Sequence, residues 1–234
     1  MSELGENIEY EKIILKERPI GKFSPSQCLD LVKDIMKLSE VADNEFLVKT
    51  DLLSVDAYIL TTFEETAFHG SLPIGGTPQV LGIGTVIYSK NPDFPVSSIV
   101  SGALGAQTIS KSTGVFISKI NPTDLIKKNH FLTLLSITCG FTAWVGLNNC
   151  INPPKKGETV VVSGCSGAVG NCFAQFAKLT GAKVIGVAGG KKKCDFLIEE
   201  LKLDGFIDYK NDDICFYKIR KEEVNSIISI DICI

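Results

Sequence analysis

The sequence predicts an α/β protein in two parts: a small all-strand body, then the first half of a doubly wound parallel sheet. Three observations carry this. Short apolar and β-branched runs separated by turn residues recur up to about residue 120. The run Thr159–Ser163 (TVVVS) lacks polar alternation, which implies a strand covered on both faces. It leads into closely spaced glycines, an apolar helix-like segment and a second apolar run, the order strand, turn, helix, strand.

In chain order, residues 1–12 read as a loose polar lead-in, and Glu11–Glu17 as a short strand broken by Arg18-Pro19-Ile20-Gly21. Cys28–Lys37 places Leu31, Val32, Ile35 and Met36 at a helical period, with strand and loop also open. Glu45–Thr50 alternates as a half-buried strand does. After an irregular stretch rich in glycine and proline, Thr61–Gly76, strand character returns over Val80–Ser89 and Ser98–Ala103. These short strands predict a small barrel or sandwich over about residues 8–120. At Asn121-Pro122-Thr123-Asp124 the character changes. Thr123 or Asp124 can cap a helix, and Leu125–Ile137 and Phe141–Leu147 are apolar at helical spacing. The expected domains are residues 1–121 and 122–234.

Pro153-Pro154-Lys155-Lys156-Gly157 links into the strand Thr159–Ser163. The helix Asn171–Thr180 carries only Lys178 as a charge and is stopped by Gly181. Ile185–Val187 is a second strand, Lys192–Leu201 a second helix and Gly205–Asp208 a third strand. This βαβαβ order is one mononucleotide-binding half of a doubly wound sheet. Ser226–Ile234 reads as a fourth buried strand that reaches the last residue, so the expectation is a truncated chain holding half of the usual sheet.

Apolar residues make up 44% and charged residues 22%, an ordinary balance for a protein with a packed core. The net charge of -3 argues against nucleic acid or an anionic membrane as partner. Neither a membrane span nor a secretory h-region is evident, and a cytoplasmic protein is expected. The 8 cysteines include no C-x-x-C pair, and only His69 and His130 are available beside them. Because they sit in apolar runs, buried thiols in a reducing compartment are expected, without disulfides or a metal site.

The chemistry lies in Gly164-Cys165-Ser166-Gly167-Ala168-Val169-Gly170, which follows a predicted strand and opens a predicted helix. Gly167 lets backbone approach a pyrophosphate, Gly170 lets the helix lie close to the sheet, and the helix N-terminus offers N–H groups and partial positive charge. The usual first glycine is replaced by Cys165, with Gly164 one step earlier. A glycine-rich packing turn is the alternative reading. At the end of the second strand the chain reads Ala188-Gly189-Gly190-Lys191-Lys192-Lys193. An NAD site wants an acid there for the ribose 2′-hydroxyl. Three cations and no acid favour NADP(H), against the plainer reading of a solvated lysine run.

With those residues in view, GETVVVSGCSGAVGNCFAQFAKLTGAKVIGVAGGKKKCDFL followed by DGFIDYK resembles the zinc-independent medium-chain dehydrogenase/reductases. It is most similar to their prostaglandin reductase, leukotriene hydroxydehydrogenase and alkenal reductase branch. Glu17-Arg18-Pro19-Ile20-Gly21, Leu53–Tyr58, Gly82–Val86, Asn91–Phe94 and Cys139–Trp144 fall in that family's order, so the resemblance runs from about Lys16 to Ile234. It implies a GroES-like β-barrel substrate domain, then a partial Rossmann domain that binds NADP(H). It also implies reduction of the C=C bond of a small α,β-unsaturated ketone or aldehyde, with hydride delivered to the β-carbon. By motif match, Gly167, Ala168 and Val169 line the pyrophosphate, and Gly164 and Gly170 belong to the same cofactor-binding turn. Lys193 holds the 2′-phosphate beside Gly189, Tyr209 lies near that phosphate or the adenine, and Thr142 near the nicotinamide.

The full-length family often forms homodimers. Ala106 stands where the family has tryptophan, Ser97-Ser98 where it has a Gly-Asp turn, and Ala57 where it has proline. The segment with the family's substrate-site tyrosine lies beyond Ile234, so no catalytic acid is assigned and weak or absent enone reduction is expected of these 234 residues. A degenerate nucleotide-binding or partner module is the alternative, and quinone reduction the nearer rival among enzymes.

Overall fold

Residues 5–68, 70–150, 153–211 and 227–230 are described by the structure, a computed structural model. They fall into two units, Met1–Leu132 and Thr133–Ile234.

In the first unit, β1 (Asn7–Leu15), a one-turn helix α1 (Pro25–Cys28) and β2 (Leu29–Lys37) make an antiparallel ribbon, with Asn7 opposite Lys37 and Leu15 opposite Leu29. The strand therefore starts inside the stretch expected to be loose, and Leu29–Lys37 resolves as strand. Val32 and Met36 are half-buried on one face of the ribbon, whereas Leu31 and Ile35, which set the helical spacing, are exposed. Cross-strand pairing along the whole ribbon outweighs a local period of a few residues.

A second, antiparallel sheet contains β3 (Phe46–Leu53), β4 (Leu81–Ser89), β5 (Ile99–Ala103), β6 (Ile109–Ser112) and β7 (Ile117–Lys119) in the order β6-β3-β4-β5-β7. Phe46, Val48, Val86 and Val100 point inward from it and form a buried cluster with Leu104 and Ile117. The last two strands are only 4 and 3 residues long, too short to show alternation in the sequence. Within the irregular stretch after β3 sits one helical turn, α2 (Tyr58–Thr61). Arg18 holds that stretch: its guanidinium donates to the carbonyls of Phe63 (2.6 Å) and Leu72 (3.1 Å).

The helix expected over Leu125–Ile137 does not form. Thr123 Oγ1 accepts the Ile126 N–H at 3.0 Å and closes a turn, and only a short helical turn spans Lys128–Leu132. Leu132 is buried with Ile83 and Ile120. The boundary therefore falls after Leu132, because the segment following Asn121 packs with the first unit.

In the second unit, Ser136 Oγ accepts the Thr138 N–H and starts a helical run through Cys150. Its central α-helical turn is α3 (Thr142–Val145), flanked by wider turns. Then follow β8 (Thr159–Val162), α4 (Ala168–Leu179), β9 (Lys183–Ala188), α5 (Lys191–Glu199), β10 (Gly205–Asp208) and β11 (Ile227–Ile230). The strands are parallel in the order β10-β9-β8-β11. The chain thus steps outward from β8 to β10 and returns to the other side of β8, which makes β8 the switch point of the sheet. Every residue of β8 is buried, as its unalternated sequence requires. The remainder of the expected last strand, Ser226 and 231–234, lies outside the described residues.

Val160, Val162 and Val184 of the sheet pack with Phe173, Ala174 and Ala177 of α4 and with Leu197 of α5. Cys28, Cys139, Cys165, Cys172 and Cys194 are buried reduced thiols, while the side chains of Cys150, Cys215 and Cys233 lie outside the described residues. Among the described residues no helix is long and apolar enough to cross a membrane.

Phe173 is 1% exposed at the centre of this core. Truncating it removes transfer energy and leaves a cavity, so Phe173→Ala is expected to cost about 3–5 kcal/mol in urea unfolding. Leu179→Ala, at an exposed position of the same helix, is expected to cost about 0.5 kcal/mol or less.

Candidate functional site

The turn after β8 explains how Cys165 can stand in a glycine position. The residue in left-handed conformation is Gly164, with φ +53°, one step earlier. Cys165 needs no such freedom and turns its side chain inward, where it is fully buried. Its sulfur occupies the space over Gly186 of β9: a Cβ on Gly186 would lie 3.0 Å from it. Burial pushes the Cys165 thiol up to about 12, so this sulfur is packing and not a nucleophile. The Cys165 N–H donates to Val187 O at 3.1 Å and ties the turn to β9.

Gly167 is the N-cap of α4 and carries no side chain to accept from the helix. The N–H groups of Ala168, Val169 and Gly170 have no carbonyl four residues back within the helix. They open at the carboxyl end of β8, with Gly164, Gly167 and Ala168 exposed to solvent. Val169 and Gly170 are themselves buried, so their contribution to the site is backbone. A Cβ on Gly170 would lie 2.5 Å from Gly164 O and 2.9 Å from Cys165 Cα, so only glycine allows α4 to begin this close to the turn.

The neighbouring strand ends in the same way. Gly190 caps α5 with φ +90°, and the first turn of α5 holds no acid. Lys191 is paired with Asp195 at 2.7 Å. Lys192 and Lys193 are exposed and, among the described residues, have no ion-pair partner. Tyr209 follows β10, and its N–H donates to Ala188 O at 3.2 Å. Its ring lies across Gly189, where an added Cβ would come within 2.5 Å of the phenol carbon and oxygen.

Gly164–Gly170 therefore gather at the end of β8, and Gly189, Lys193 and Tyr209 at the ends of β9 and β10, the same edge of the parallel sheet. Thr142 stands apart: exposed on α3, it donates its hydroxyl to Ile137 O at 2.8 Å and makes no hydrogen bond to either group among the described residues. The sequence reading passed over Asp208. This buried carboxylate accepts the N–H of Gly190 (2.7 Å) and of Lys210 (3.1 Å) on Oδ1, and the Asn211 amide (2.7 Å) on Oδ2. The available signal was an acid ending a predicted strand directly before Tyr209.

Residues 11–120 match the family described as N-terminal domain of oxidoreductase. The chain is 31% identical over 215 residues to the NADP(+)-dependent 2-alkenal reductase of Nicotiana tabacum, covering 89% of this chain and 61% of that one. It is 33% identical over 176 residues to prostaglandin reductase 1 of Mus musculus, covering 74% and 51%. These matches support a zinc-independent medium-chain dehydrogenase/reductase of the prostaglandin reductase and alkenal reductase branch. CurA of Vibrio vulnificus in complex with NADPH has the same fold, with a TM-score of 0.78 at 29% identity over 87% of this chain and 59% of that one. The first unit is the GroES-like domain and the second a partial Rossmann domain. The chain spans roughly half to three-fifths of the length of these relatives.

Two outcomes test the turn. Gly170→Ala forces a methyl against backbone, and a loss of about 1–3 kcal/mol is expected in chemical denaturation. Iodoacetamide at pH 8 is expected to modify Cys165 only after unfolding, read by peptide mass mapping; rapid modification of the folded chain would contradict the inward placement.

Proposed function

We propose that the second unit is the NADP(H)-binding half-site of an enone reductase. The observation that carries this reading is a pair of glycine-capped, acid-free helix N-termini at the ends of adjacent parallel strands, the second opening with Lys191-Lys192-Lys193. The uncapped N–H groups at the start of α4, and Lys192 and Lys193, which have no ion-pair partner among the described residues, leave positive potential that phosphate groups complement. Gly164, Gly167, Ala168, Val169 and Gly170 present backbone to the pyrophosphate. Lys193, with Lys192 beside it, binds the 2′-phosphate. Gly189 and Tyr209 form the adenosine side, and Thr142 serves the nicotinamide side.

Bound NADPH supplies hydride; the protein supplies orientation and charge. The whole protein's reaction is reduction of the C=C bond of a small α,β-unsaturated aldehyde or ketone, in keeping with the alkenal and prostaglandin reductases among the relatives.

Titration of the chain with NADPH and with NADH, followed by nicotinamide fluorescence, tests the proposal. NADPH is expected to bind more tightly. Lys193→Ala is expected to weaken NADPH by about 10- to 100-fold, the value of a hydrogen bond to a charged group, and to leave NADH nearly unchanged. Equal affinity of the unmodified chain for both nucleotides would sink the reading.

A further inference from the structure

We propose that Asp208 is the positioning residue of the 2′-phosphate subsite, and that it acts through hydrogen-bond geometry and not through contact with the ribose. This deepens the NADP(H) reading and rests on it. Asp208 ends β10, next to β9, whose end would carry the ribose-binding acid in an NAD site. The chain therefore does have a carboxylate close to that place, and the question is which way it is used.

The carboxylate is turned into the protein. Oδ1 takes the amide hydrogens of Gly190 and Lys210, and Oδ2 takes the Asn211 side chain. These bonds, the Gly190 amide foremost, hold the carboxyl below the usual carboxylate range despite its burial. Engaged in this way, Asp208 has its oxygens directed to the turn and is not offered to a 2′-hydroxyl. It instead joins three parts of the subsite. Gly190 is the cap from which α5 and its lysines start. Tyr209 follows in the chain and lays its ring over Gly189, and Lys210 comes next. Without the acceptor at Oδ1, the Gly189–Gly190 turn loses its tie to the end of β10. The first turn of α5 and the Tyr209 ring then lose their common reference.

The proposal separates geometry from charge. Asp208→Asn keeps an oxygen that can accept from both Gly190 and Lys210, and Asn211 can reverse its amide to match. Asp208→Ala keeps neither bond. Two probes divide the site: 2′,5′-ADP carries the 2′-phosphate, and 5′-AMP is the same molecule without it. By calorimetry on the full 234-residue chain, Asp208→Ala is expected to weaken 2′,5′-ADP about tenfold, the scale of losing buried hydrogen bonds, and 5′-AMP about twofold or less. Asp208→Asn is expected to restore 2′,5′-ADP to within about threefold of the unmodified chain.

Should Asp208→Ala fail to fold, Asn211→Ala gives a second readout: it removes the amide that holds Oδ2, and a smaller selective loss of 2′,5′-ADP is expected. Unchanged 2′,5′-ADP affinity in Asp208→Ala, or in Asn211→Ala where the alanine at 208 does not fold, overturns the proposal. So does an equal loss of both probes, which marks general destabilisation, or an Asp208→Asn variant as weak as the alanine, which marks a role for charge. If the unmodified chain binds 2′,5′-ADP no more tightly than 5′-AMP, the NADP(H) reading itself fails, a result distinguishable from all of these.

Discussion

The close approach of α4 to the end of β8 is the constraint on which the second unit depends. Gly170 sits where any Cβ would meet Gly164 O and Cys165 Cα, so the helix axis begins almost on top of the turn. That approach buries Phe173, Ala174 and Ala177 over Val160 and Val162. It also leaves the first helical amides opening at the switch point of the sheet, with a glycine cap that offers them no side-chain acceptor. Packing and the open helix amides are two consequences of one short distance. A larger residue at 170 would harm both at once.

The second helix obeys a different balance. Three lysines at the start of α5 oppose the helix dipole. Lys191 recovers some of this through Asp195, but an exposed pair of this spacing contributes little. Lys192 and Lys193 gain no such compensation among the described residues. A sequence selected for stability alone would place acids there, and an anionic ligand removes the conflict. Asp208 completes the balance. It is the nearby acid, and its oxygens are committed to the Gly190 turn and to Asn211.

Local chemistry made much of this legible. The unbroken β-branched run of β8, the glycines after it, Gly181 at the end of α4 and the Gly-Gly-Lys-Lys-Lys segment each state their role through side-chain shape, flexibility or charge, which the residue carries wherever it is placed. The less legible elements depended on partners distant in the chain. Leu31 and Ile35 have a helical spacing, yet their segment pairs along its whole length with β1. Thr123 has the chemistry of a cap, but the segment after it is drawn onto Ile83 and Ile120 through Leu132. The short strands β6 and β7 exist because β3 and β5 offer them hydrogen bonds.

The candidate site divides along the same line. The sequence by itself determined the local features: a glycine-rich turn after a buried strand and a cation cluster without an acid at the end of the second strand, because glycine's missing side chain and lysine's charge are intrinsic. Only the tertiary structure decided which glycine needs the left-handed backbone, that Cys165 faces the core, and that Asp208 serves the turn and not a ligand. Those outcomes depend on where neighbouring strands end and which groups they bring within hydrogen-bonding reach. A linear sequence does not contain that information until the sheet is assembled.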